Sequence, residues 1–96
     1  MTHEEILKQK SERAYVQIMS KHDSEKLIPE FIRRKVARYH RSYVNMVLCG
    51  GEGIEILNAL AFRQAWTRVA EEKGLVLDFS GRVVKIKKDE EKDLIC

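Results

Sequence analysis

The hydrophobic period of this chain changes once, at Gly74, and that change limits what it can fold into. Before it, apolar residues recur at spacings of three and four; after it, in LVLDFSGRVVKIKK, they alternate. The first pattern belongs to helices that bury a stripe, the second to strands that bury a face. The expected fold is therefore mainly α with a small β element. Three helices come first and a C-terminal β-hairpin follows, arranged as a helical bundle or in a winged-helix-like way.

Local signals set the boundaries. Thr2-His3-Glu4-Glu5 fits a capping box, and Leu7, Ala14, Tyr15, Ile18 and Met19 carry a helical stripe from it to about residue 21. KHDSEK interrupts that stripe. A second helix starts at about Pro29, whose missing N–H costs nothing in a first turn. At 100° per residue, Ile28, Ile32, Val36, Tyr39, Tyr43 and Met46 share one arc, while Arg34, Arg38 and Arg41 lie on another side. From Tyr43 onward YVNMVLC is apolar nearly all round, which places the far end of this helix at the centre of the core. Cys49 then reads as a small buried hydrophobe. Lys35 falls inside the apolar arc, and a snorkelling stem is its only sequence-level account.

GGEG separates this helix from a third, roughly Ile54 to Lys73, with Gly74 as the residue beyond its C-terminus. A Ser80-Gly81 turn would put Leu75, Leu77, Phe79, Val84 and Ile86, and also Arg82, on one face of the hairpin. Val76, Asp78, Val83, Lys85 and Lys87 take the other. At 96 residues the chain makes one domain, spanning residues 1–88, with an acidic tail over residues 89–96.

Charge is unevenly divided along the chain. Residues 24–48 carry Lys26, Arg33, Arg34, Lys35, Arg38 and Arg41 against Glu25 and Glu30, a net of +4. Residues 75–88 set Arg82, Lys85, Lys87 and Lys88 against Asp78, a net of +3, and DEEKDLIC closes the chain at −3. Such segregation bears on partners rather than on fold. The acidic tail can compete for the basic elements or simply favour solubility.

Catalytic and metal-binding patterns are weak. His40 lies nine residues from Cys49 on the same helix, roughly 13 Å along the axis and on the other side, so the two cannot form a nucleophile–base pair. Three scattered histidines and two distant cysteines supply no closely spaced ligand pair for zinc. GGEG lacks the GxxxxGK[ST] pattern, follows a helix, and is flanked by Glu52 and Glu55, so a helix–helix turn accounts for it better than phosphate binding. No enzyme, metal or cofactor is expected. No apolar run nears the roughly 20 residues that a membrane helix needs, and MTHEEILKQKSER has no apolar leader, so a cytoplasmic location is expected.

The basic surfaces remain. Arg34, Arg38 and Arg41 at i, i+4 and i+7 form a ridge able to follow phosphates, with Arg33 and His40 flanking, although Glu30 can pair with Arg34 and cations are ordinary on an exposed helix face. Arg63, Gln64, Thr67 and Arg68 on the third helix are residue types that reach base edges or phosphates from a groove. Lys85 and Lys87 follow on the hairpin. Helix then basic hairpin is the element order of a recognition helix and its wing. Here, however, the preceding helix is longer than in a helix-turn-helix and no family motif accompanies the order. Tyr39, Tyr43 and Trp66 read as core residues rather than stacking platforms.

Two functions follow. The first is a small nucleic-acid-binding protein, of DNA or RNA, with a regulatory role among the options. It would use Arg34, Arg38, Arg41, Arg63, Gln64, Thr67, Arg68, Lys85 and Lys87. The alternative is a non-enzymatic adaptor or inhibitor that docks on another protein, with a homodimer through YVNMVLC and IEILNALAF as a further option.

Overall fold

A computed structural model describes residues 2–80 and 83–87, with the side chains of Ser80, Val83 and Lys87 left aside. The order is α1 (His3–Lys21), a 3₁₀ turn (Ser24–Lys26), α2 (Pro29–Cys49), α3 (Gly53–Glu72), β1 (Val76–Ser80) and β2 (Val83–Lys87). The expected three helices and antiparallel hairpin are all present.

The termini form for the reasons the sequence supplies. Thr2 Oγ1 accepts the Glu5 N–H at 3.2 Å, and Pro29 opens α2. Two glycines with positive φ end the long helices, Gly50 at 71° and Gly74 at 76°. At Gly74 the Leu75 N–H donates to the Ala70 carbonyl at 2.9 Å and the Gly74 N–H to the Glu71 carbonyl at 3.0 Å. That double closure uses carbonyls that α3 leaves unpaired at its end, and a left-handed residue is needed to make it.

α3 lies between the other two helices. Its contacts with α1 climb together, Ser11 with Gln64, Glu12 with Arg68 and Tyr15 with Glu72, so α1 and α3 run in the same direction. Its contacts with α2 run oppositely, Phe31 with Trp66, Tyr39 with Phe62 and His40 with Arg63. α2 and α3 are therefore an antiparallel pair joined through Gly50–Glu52. A helix-turn-helix crosses at about 90–120° instead, so of the two expected arrangements the bundle is the one formed.

The core gathers where α2, α3 and the hairpin meet. Ile32, Val36, Val69 and Val84 are fully buried, and Ala14, Ile18, Trp66 and Ala70 surround them. Trp66 and Phe31 pack edge to face, with His22 against both rings. Strand pairing couples Leu77 to Ile86 and Phe79 to Val84. Ser80 pairs with Val83, so β1 runs one residue further than a Ser80-Gly81 turn allows. Each cross-strand partner moves by two positions relative to that turn, and a shift of two leaves both faces as expected.

Three expectations are corrected. The far end of α2 is not the centre of the core: Val47 is 51% exposed, Leu48 67%, and Ile54 opposite them 51%. Cys49 is exposed rather than buried. Met19 and Ile28, assigned to apolar stripes, are exposed as well. Val47, Leu48, Cys49 and Ile54 are exposed because the α2–α3 tip reaches past the level at which the hairpin covers it; Met19 and Ile28 lie toward the other end of the bundle. The acidic tail expected over residues 89–96, with Arg82 and Lys88, lies outside the described residues. Among the described residues, no helix is long and apolar enough to cross a membrane.

Candidate nucleic-acid interface

The nine expected contact residues divide by what holds them. On α2, Arg34, Arg38 and Arg41 are exposed, as their helical spacing requires. With the half-buried Arg33 they ring Ala37 around a shallow depression of about 300 Å³. Glu30, one turn earlier, is the acidic side chain that meets this group. Arg33 clamps it with two parallel N–H donors, Nε at 3.2 Å from Oε2 and Nη2 to Oε1. That clamp holds the Glu30 carboxyl below the usual carboxylate range, against the opposing effect of desolvation. Arg33 also reaches the Val84 carbonyl at 3.4 Å and so ties α2 to β2.

Arg34 stands 3.5 Å from Glu30, which is already taken by Arg33. Arg38 lies 6.0 Å from the Tyr39 ring centre, at the limit of a cation–π contact. Arg38 and Arg41 make no ion pair among the described residues. The ridge therefore keeps free guanidinium donors, the groups suited to planar, bidentate recognition of phosphate.

α3 presents a different case. Arg63 is half-buried between the rings of Tyr43 and Phe79, 5.2 and 5.3 Å from their centres, and its Nη1 donates to His40 Nδ1 at 3.0 Å. His40 is 7% exposed, so this bond satisfies a buried ring nitrogen. Thr67 donates its hydroxyl to the Arg63 carbonyl at 2.7 Å, and Gln64 accepts from Ser11 at 2.8 Å. Arg68 pairs with Glu12 at 3.0 Å and covers the Tyr15 ring at 3.9 Å. All four residues are thus engaged within the chain, binding α3 to α1, to α2 and to the hairpin. Lys85 is exposed on the outer hairpin face; Lys87 belongs to β2, and its side chain lies outside the described ones.

The structure brings together Arg33, Arg34, Arg38 and Arg41, and it does not add the α3 set to them. His40, one expected flank of the ridge, is buried against Arg63, whereas the other expected flank, Arg33, lines the depression. The proximity of Arg33 to Glu30 at i−3 was visible in the sequence, but its contact with a strand 51 residues away was not. No group of three metal-ligating side chains occurs among the described residues. The chain matches no protein-family model, no curated protein and no solved structure.

Proposed function

We propose that this chain works by binding rather than by catalysis, and that it binds nucleic acid through the phosphate backbone at the α2 arginine ridge. The observation that carries this reading is the convergence of four guanidinium groups on one exposed depression, with Glu30 the acidic side chain set against them. From Arg34 to Arg41 the ridge extends about 10 Å by helix rise, the axial rise of about three nucleotides on one strand. Contacts of this kind position a protein on the backbone without reading sequence, so weak discrimination among sequences is expected. The internal engagement of Arg63, Gln64, Thr67 and Arg68 supports a ridge binder rather than one that inserts α3 into a groove.

The test is fluorescence anisotropy with labelled duplex and single-stranded oligonucleotides. Changing Arg34, Arg38 and Arg41 together to Gln is expected to weaken binding at least tenfold, with unchanged circular dichroism. Equal affinity of the triple variant and the parent protein would overturn the assignment to this surface.

A further inference from the structure

The side of the bundle opposite the hairpin carries an open groove that the arginine ridge does not use. Three contiguous hollows line up along α3, the largest about 410 Å³, and all three share Phe62. α1 forms one wall and α2 the other, with α3 as the floor. They run from Trp66 and His22 at one end to Glu55 at the other. Eleven residues of α3 separate the ends, about 16 Å, or three helical turns. Phe62 and Ala59 of α3 line the largest hollow with Asn58, and Met46 faces them from the α2 wall.

The walls are charged with one sign. Lys10, Arg13 and Lys21 stand along α1 and Lys35 on α2, against Glu55. None of these four cations makes an ion pair among the described residues. Lys35, anomalous in the apolar arc of α2, lies 5.4 Å from the Phe31 ring centre with its head at this wall. Phe62 on the floor, beside Asn58, between cationic walls would suit a nucleic-acid strand if the aromatic faces were free to stack on bases. They are not: Tyr39 and Phe62 stack on each other, 5.1 Å apart and 16° from parallel, and Trp66 is 3% exposed against Phe31 and His22.

We infer that this groove receives an acidic amphipathic helix of a partner protein, about three turns long, as a fourth helix of the bundle. Its apolar residues, spaced at i, i+3/i+4 and i+7, lie on Phe62, Met46 and Ala59, the helix-in-groove mode of recognition. Its carboxylates face Lys10, Arg13 and Lys21 along α1 and Lys35 across from them. The charge contrast selects the partner and speeds encounter, while apolar burial holds the complex together. This site is distinct from the arginine ridge and does not depend on its activity.

The experiment uses the full chain and three designed peptides of about four turns. One carries a leucine stripe with glutamates elsewhere; the second has the same composition scrambled; the third keeps the stripe with lysines replacing glutamates. Binding is followed by anisotropy and by the emission of Trp66, the one tryptophan of the chain. The first peptide is expected to bind saturably and at least tenfold more tightly than the other two. Arg13→Glu with Lys21→Glu, both exposed positions, is expected to weaken it at least tenfold without loss of helical signal. Met46→Lys, half-buried on the α2 wall, is expected to do the same while the protein stays folded.

Equal binding of the three peptides, or none, overturns the inference. So does competition by a short oligonucleotide that persists in the Arg34, Arg38 and Arg41 triple variant. Tighter peptide binding after removal of residues 89–96 would assign the groove to the chain's own acidic terminus. Dimerisation abolished by Met46→Lys would assign it to a second copy. Either result displaces the partner helix.

Discussion

Ile32 shows what a single side chain contributes here. It has no exposed surface and belongs to the core of Val36, Trp66, Val69 and Val84, where α2, α3 and the hairpin meet. Ile32→Ala leaves a cavity that its neighbours fill only in part, and is expected to cost about 2–5 kcal/mol in urea unfolding. A loss below about 1 kcal/mol would mean that the core lies elsewhere. Tyr15 gives a pH signature at the same scale. Its hydroxyl donates to a Glu72 carboxylate, and this bond, with desolvation, raises the phenol above its ordinary value of 10.0. A raised value means stability present below the ordinary pKa and lost as pH rises through the folded one. The stability gap between the parent protein and Tyr15→Phe is therefore expected to hold up to about pH 9 and to shrink as pH rises past about 10. A gap that stays constant above about pH 10 would contradict the bond.

At the scale of elements, the ends of α3 respond oppositely to the same change. Gly74 has φ of 76° and nothing within 4 Å of an added Cβ, so Gly74→Ala meets strain in the backbone alone. It is expected to destabilise by about 1–2 kcal/mol. Gly53, the first residue of α3, has open space and an ordinary φ. There Gly53→Ala reduces the freedom of the unfolded chain and is expected to stabilise by about 0.4–1 kcal/mol. Thermal melts of the two variants should shift in opposite directions; a shared direction would contradict the assignment of the helix ends. These elements were legible because their signals are local. Thr2, Pro29, Gly74 and the alternating run after it each act within a few residues. The exposed tip was not legible, because an apolar run such as YVNMVLC records what a helix could bury and not whether another element reaches it. The same limit applies to α3: Arg63, Gln64 and Arg68 look like free contact residues until His40, Ser11 and Glu12 arrive from 23 to 56 positions away. The ridge was legible because i, i+4 and i+7 need no distant partner to share a face.

Taken whole, the molecule is flat, 48 × 31 × 22 Å, as expected when α3 lies between two helices rather than packing into a closed triangle with them. α2 consequently borders two surfaces. Tyr39, Ser42 and Met46 turn toward the groove, while Arg34, Arg38 and Arg41 form the ridge. The ridge contributes little to folding, since exposed ion pairs contribute little. The Arg34, Arg38 and Arg41 triple change to Gln is accordingly expected to alter the unfolding free energy by less than about 1 kcal/mol. The most direct test of the ridge as a phosphate-binding surface is the salt dependence of oligonucleotide affinity in the parent protein and in that variant. Each phosphate contact to duplex contributes about 0.9 to the slope of log affinity against log salt, and about 0.7 to single strands. The account predicts that the triple variant binds more weakly and that its slope is shallower by about 2–3. Identical slopes in the two proteins, or no binding by the parent protein at low salt, would contradict it.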